Sequence, residues 1–187
     1  MLGMATKQKS VSSLPITVVR VARIHFIYVL ALAVQIIIYH AWQLITPEAA
    51  LRRWVMTGIF AAGVTVVWYL SKHADGSGRL RRLIYGLILL DIGVASFGVY
   101  TQRGMAARAV MLYAVPIIVA ATLRSRSALL ATAMLCVVAY TTTALSYFVL
   151  NFNEGFKVEL YGEVGFYSFL FFVLARLLWV ITRRSGE

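Results

Sequence analysis

Acidic side chains are scarce in this chain, with seven Asp and Glu among 187 residues against eighteen Lys and Arg. Charged residues make up only 13% of the sequence and hydrophobic residues 61%, whereas soluble domains carry roughly a quarter charged residues. That balance excludes an ordinary soluble domain. A single cysteine, Cys136, leaves no internal disulfide framework, and its place in an apolar run reads as that of a small core residue. Of the three histidines, His25 and His40 stand near opposite ends of one apolar run and His73 in a polar turn, so no metal site is expected. A phosphate loop, a nucleophile beside a base, a dinucleotide fingerprint and paired carboxylates are all missing, so neither enzymatic activity nor a cofactor is expected.

What the chain has in abundance is long apolar runs. Six can be drawn, at Ile24–Leu44, Trp54–Leu70, Leu83–Tyr100, Met105–Leu123, Leu129–Leu150 and Val164–Ile181. Each holds about 17 to 23 residues, enough to cross a ~30 Å hydrocarbon core as a helix. The expected fold class is therefore all-α, a polytopic integral membrane protein built as a six-transmembrane-helix bundle. Short connections leave no room for a catalytic domain between spans and make sequential helices antiparallel neighbours. No internal repeat or low-complexity segment is present.

The net charge of +11 does not point to nucleic acid, because the basic residues gather at segment ends. With the N-terminus cytoplasmic, one side collects Lys7, Lys9, Arg20, Arg23, Lys72, Arg79, Arg81, Arg82, Arg124, Arg126, Arg183 and Arg184. The other holds Arg52, Arg53, Arg103, Arg108 and Lys157. This asymmetry, with an even number of spans, places both termini inside. The chain then divides into a basic cytoplasmic or interfacial segment 1–23, a six-helix domain 24–182 and a short tail 183–187. The apolar run after Arg23 is too long for a signal peptide and no small-residue cleavage site follows it, so it is expected to be retained. Ile16 to Arg23 reads as a helical approach along the headgroups, with Arg20 and Arg23 on one face.

Local punctuation supports these boundaries. Thr46-Pro47-Glu48 supplies a capping hydroxyl, a proline suited to a first helical turn and an acid at the positive helix end. Asp75-Gly76-Ser77-Gly78 is a turn before the basic cluster at Arg79, Arg81 and Arg82. The longest external link, residues 151–163, carries Glu154, Glu159 and Glu163 against Lys157. Trp42, Trp54, Tyr100, Tyr161 and Trp179 near span ends form an aromatic belt. Gly58 with Gly63, and Gly86 with Gly93 and Ser96, offer small surfaces for close helix contact, and Thr141, Thr142 and Thr143 read chiefly as packing residues.

Three residues break the apolar pattern inside the spans. Asp91 is expected about 12 Å from the inner end of the third span, Arg176 about 8 Å from that of the sixth and Pro116 about 10 Å from that of the fourth. A carboxylate near a span centre costs roughly 2.5–3.5 kcal/mol, so Asp91 should face the bundle, be paired or be protonated. Arg176 could pair with it or reach the inner headgroups. Pro116 should bend its helix and free a carbonyl near Leu112, either as a static kink or as part of one polar layer with Asp91 and Arg176.

From Leu83 to Tyr140 the order of features is characteristic. A helix carrying Asp91 leads to Tyr100-Thr101-Gln102-Arg103-Gly104, then to the helix Val110 to Ala121 with its internal Pro116. The basic turn Leu123-Arg124-Ser125-Arg126-Ser127 and an Ala-rich helix ending near Tyr140 follow. This resembles the six-helix membrane sensor region ahead of the kinase core in bacterial two-component histidine kinases, including those controlling pilus genes. The family's outer turn usually has a Gly pair followed by Ser-Pro, and only Gly104 matches here. The resemblance implies a bacterial inner-membrane location, makes Asp91 the characteristic acid of helix three and makes helix six the output element, ending at Thr182-Arg183-Arg184. The sequence stops six residues after Ile181 without a phospho-accepting or nucleotide-binding segment, so either a stand-alone relative or a sensor region cut at the membrane is expected, without kinase activity.

The leading expectation is a membrane-embedded sensory or regulatory module that signals to a separate protein partner at the cytoplasmic face or acts as a homo-oligomer, with the lipid bilayer as its other partner. The alternatives are a structural or assembly subunit of a membrane complex and a small ion or solute carrier subunit.

Overall fold

The computed structural model describes the chain apart from residues 1, 75, 103–107, 152–157 and 185–187, and apart from the side chains of 2–15, 158–160 and 184. Glu154, Lys157, Arg103, Gly104, Asp75 and the side chains of Glu159, Lys7, Lys9 and Arg184 therefore lie outside the described residues. Of the described residues 91% are helical, and none is in a strand. Its elements are α1 (Leu2–Ala41), α2 (Pro47–Lys72), α3 (Ser77–Thr101), a 3-10 helix (Arg108–Tyr113) running into α4 (Ala114–Ala121), α5 (Arg126–Leu150) and α6 (Val158–Arg184). Among the described residues five helices contain segments long and apolar enough to cross a membrane, and Arg108–Ala121 is a shorter apolar one. That content is consistent with a multi-pass helical membrane bundle, since a helix satisfies its own backbone polar groups where water is absent.

Two compact units divide the chain, Met1–Leu87 and Ile88–Glu187. In the first, α1 packs against α2. The α2 stripe Thr57, Phe60, Val64, Val67 and Ser71 is buried at alternating steps of three and four, the spacing of one helix face. On α1, Val18, Ala22 and His25 follow the same rule. Edge-to-face rings join the pair, with Tyr28 and Phe60 centroids 5.3 Å apart and Phe26 and Trp68 6.2 Å apart. Cations cover rings near the helix ends: Arg53 lies 5.6 Å from the Tyr39 centroid and Lys72 3.6 Å from that of Trp68. Such side chains bury an aliphatic stem while the charge stays near polar surroundings.

Several expected boundaries are present. Thr46 caps α2 by accepting a hydrogen bond from the Ala49 amide at 3.3 Å, Pro47 stands in the first turn and Glu48 follows it. Ser125 caps α5 in the same way, accepting from the Ala128 amide at 3.4 Å. Gly76 adopts φ +103°, a conformation that favours glycine. The end of α1 closes with Gln43 at φ 56°, the Leu44 amide donating to the Tyr39 carbonyl at 2.8 Å and the Gln43 amide to that of His40 at 3.0 Å. This is the Schellman pattern, with glutamine at the position where glycine is commonest.

Two expectations change. Helix α1 runs without a break from Leu2 to Ala41, so Ile16–Arg23 is continuous with the first apolar run. The fourth apolar run is not one α-helix with a central kink. It is six residues of 3-10 helix followed by eight of α-helix, and Pro116 is the third residue of α4. Having no N–H, Pro116 cannot donate to the carbonyls of the turn before it, and the change from 3-10 to α winding falls within that turn. Proline thus marks where the α-helix starts.

The glycine expected to matter for close packing is also different. A Cβ added at Gly58, Gly86 or Gly93 would meet nothing within 4 Å, whereas at Gly98 it would lie 2.8 Å from the Ala109 Cβ. Gly98 is what lets the 3-10 helix lie against α3. Gly98→Ala should therefore destabilise the protein by about 1–3 kcal/mol through overpacking. Gly93→Ala should be neutral or gain up to about 1 kcal/mol from helix propensity. Thermal melting in detergent followed by circular dichroism distinguishes the two, and equal midpoints for both variants would refute the close approach.

Candidate functional site

The second unit holds a row of polar groups inside an apolar interior. On α3, Ile88, Asp91, Ile92, Ala95 and Val99 are buried in one stripe, which carries Asp91 inward. Asp91 is 1% exposed. Fourteen residues of α3 precede it and ten follow, about 21 and 15 Å at the helical rise. It therefore stands near the middle of the helix, deeper than expected, because α3 starts at Ser77 and not at Leu83.

Across from α3, α5 turns Leu129, Thr132, Ala133, Cys136, Tyr140, Ala144 and Phe148 inward. The Cys136 thiol is within electrostatic reach of Asp91 and donates a long contact of 3.8 Å to the Tyr113 carbonyl. Tyr113 ends the 3-10 helix and is fully buried. Its hydroxyl shares a 2.8 Å hydrogen bond with Ser96 of α3. Rings pack around it: the Tyr140 centroid is 6.1 Å away and that of Phe171 of α6 5.6 Å away. Tyr140 in turn meets Phe171 at 6.3 Å and Tyr167 at 5.8 Å, both edge to face.

Helix α6 supplies the far wall. Glu163, Tyr167, Phe171 and Ala175 recur every four residues, the spacing that keeps side chains on one face. Phe171 and Ala175 are buried, Tyr167 and Glu163 half-buried. Glu163 lies within electrostatic reach of Tyr140. The Tyr140 hydroxyl and Glu163 Oε2 are both buried atoms without a hydrogen-bond partner among the described residues. Leaving such an atom unsatisfied costs about 1–3 kcal/mol.

Of the residues expected to form one polar layer, Asp91 and Pro116 are buried, while Arg176 is exposed on α6. Of the external acids, only the Glu163 side chain falls among the described residues, and it belongs to the inward face of α6. The belt residues Trp42 and Tyr161 are exposed, as anchors at a membrane surface would be. Sequence reasoning passed over Tyr113 and Tyr140, treating tyrosine mainly as a belt residue. Their signal was position: both stand within apolar runs, and Tyr140 falls four residues after Cys136 and four before Ala144. It also gave little weight to His25, which is buried in the first unit and donates from Nδ1–H to the Val21 carbonyl at 2.8 Å. Among the described residues, no three His, Cys, Asp or Glu side chains gather as metal ligands would.

Comparison with protein-family models, with curated proteins and with solved structures finds no match.

Tyr113→Phe should cost about 1 kcal/mol, the usual net value of one hydrogen bond, read from a lower melting temperature. Cys136, being fully buried, should react with a small maleimide only after denaturant is added. Rapid labelling of the folded protein would contradict the packing around Tyr113.

Proposed function

We propose that the chain is a sensory or regulatory module of the bacterial cytoplasmic membrane, whose conformational state is read by a separate protein partner. The observation that carries this reading is the row from Asp91 through Cys136 and Tyr113 to Tyr140 and Glu163. Ionisable and polar groups inside an apolar unit are costly, and in membrane helices they mark places where function resides. They stand on four elements, α3, the 3-10 helix, α5 and α6, so a shift in one of these elements is a route by which the others could be displaced. The resemblance of Leu83–Tyr140 to histidine-kinase sensor regions agrees with this role.

In this reading six segments cross the bilayer and both termini are cytoplasmic. The fourth crossing is short in residues but not in length. Six 3-10 residues at about 2.0 Å and eight α-helical residues at about 1.5 Å reach roughly 24 Å, most of a hydrocarbon core. The basic residues Arg124 and Arg126 then face the cytoplasm with Arg183, while Arg52, Arg53 and Arg108 face outward, in keeping with the positive-inside rule. Arg176, exposed on α6, is placed to extend toward the inner headgroups.

A small ion or solute carrier subunit is the second reading. It is favoured by one observation, the change from 3-10 to α-helix at Tyr113, since interrupted helices are common around carrier sites. Flux into proteoliposomes separates the readings: uptake by the purified protein alone would favour the carrier.

Photocrosslinkers at Arg124 and Arg126 should capture a cytoplasmic protein from whole cells. Asp91→Asn should change that yield several-fold while leaving the melting temperature within a few degrees. Unchanged capture in a folded Asp91→Asn variant would remove Asp91 from signalling. In a Cys136→Ala background, a cysteine at Ser127 should react with an impermeant maleimide only once the membrane is opened. Labelling in intact cells would invert the topology.

A further inference from the structure

The first unit holds an open cavity of about 340 Å³ on α1, lined by Ile16, Val19, Arg20 and Arg23. The last three follow Ile16 at three, four and seven residues, so all four share one helix face. The lining is apolar, which means that the arginines contribute their aliphatic stems and keep their guanidinium groups at its edge. Both arginines are exposed, and neither makes a hydrogen bond or ion pair with a described residue.

The depth of this groove follows from the length of the helix. The apolar stretch Ile16–Ala41 holds 26 residues, or about 39 Å at the helical rise, against a ~30 Å hydrocarbon core. With Ala41 at one boundary the other falls near Ala22, between Arg20 and Arg23. Helix α2 agrees: Phe26 meets Trp68 across the pair at 6.2 Å, so Lys72, one turn beyond Trp68, is level with the turn before Phe26. Three cations thus stand at one boundary. Glu48 is the only acid in residues 1–74, and it lies in the first turn of α2, at the opposite end. The anionic group found at that depth of a bilayer is the lipid phosphate. A free phosphate ion has nothing to place against Ile16 and Val19, whereas a phospholipid carries its phosphate on an apolar body.

We propose that Ile16, Val19, Arg20 and Arg23 form a binding site for one anionic phospholipid. Its phosphate bridges the two guanidinium groups, its glycerol region fills the groove, and its acyl chains run along the exposed side chains of Ile24, Ile27 and Leu30. The site requires only that α1 crosses a bilayer, so it stands independently of whether a partner protein reads the bundle.

The test mixes the purified full chain in mild detergent with phosphatidylglycerol or with phosphatidylcholine of the same acyl chains, and counts bound lipid by native mass spectrometry. One phosphatidylglycerol should be held at least about tenfold more tightly than phosphatidylcholine, since each cation near a lipid surface adds several-fold. R20Q combined with R23Q should abolish that preference, and R81Q combined with R82Q, which removes as much charge elsewhere, should keep it. I16W separates a groove from plain attraction: it retains both charges at an exposed position and should weaken phosphatidylglycerol binding several-fold by filling the space. Should the arginine variant fail to fold, I16W carries the test. Equal retention of the two lipids, an equal loss in R81Q with R82Q, unchanged binding in a folded I16W variant, or displacement of the lipid by inorganic phosphate would overturn the proposal.

Discussion

One fully buried tyrosine organises the second unit. Tyr113 bonds through its hydroxyl to Ser96 of α3, receives the Cys136 thiol of α5 on its carbonyl and packs its ring at an angle against Phe171 of α6 and edge to face against Tyr140 of α5. It also ends the 3-10 helix and immediately precedes α4. A side chain engaged on so many sides has one acceptable position. The approach of α3 at Gly98, the start of α4 and the inward turn of α5 are all consistent with that position. In an apolar surrounding its hydroxyl could not have been left unpaired without penalty, and Ser96 meets the requirement.

The row that Tyr113 anchors is a mixture of satisfied and unsatisfied groups. At one end, Ser96, Tyr113 and Cys136 hold one another in place. At the other, the Tyr140 hydroxyl and Glu163 Oε2 have no hydrogen-bond partner among the described residues. Satisfied networks make a packing rigid, and unsatisfied ones are points where a second arrangement or a bound molecule gains the most. The two ends thus differ in kind: the first sets the geometry, and the second is where the unit is open to change.

Helix content and most boundaries were legible in the sequence because apolar runs and capping residues act locally. Thr46 and Pro47 stand at the expected helix start, and Gly76 takes the turn conformation expected of it. Asp91 was legible as a buried acid for the same reason, since one charge in an apolar run has few places to go. Pro116 was legible as a break but not as a start, because its effect depends on the 3-10 stretch before it, and that stretch packs through Ala109 against Gly98 of α3. Tyr140 and Glu163 lie on different helices, and their shared deficit emerges only when α5 and α6 pack. Nothing in local spacing carries that information.

The 3-10 helix has three ridges, because its side chains repeat every three residues. Arg108 and Met111 form the outward ridge, Val110 and Tyr113 the buried one, and Ala109 and Leu112 the one that meets Gly98. Wound as an α-helix at 3.6 residues per turn, residues three apart would diverge by roughly 60° instead of eclipsing. Val110 and Tyr113, and likewise Ala109 and Leu112, would then be offset around the helix instead of aligned in one straight row. The tight winding is thus a rotational key: it determines which way Tyr113 points, and Pro116 stands just beyond it where the winding relaxes.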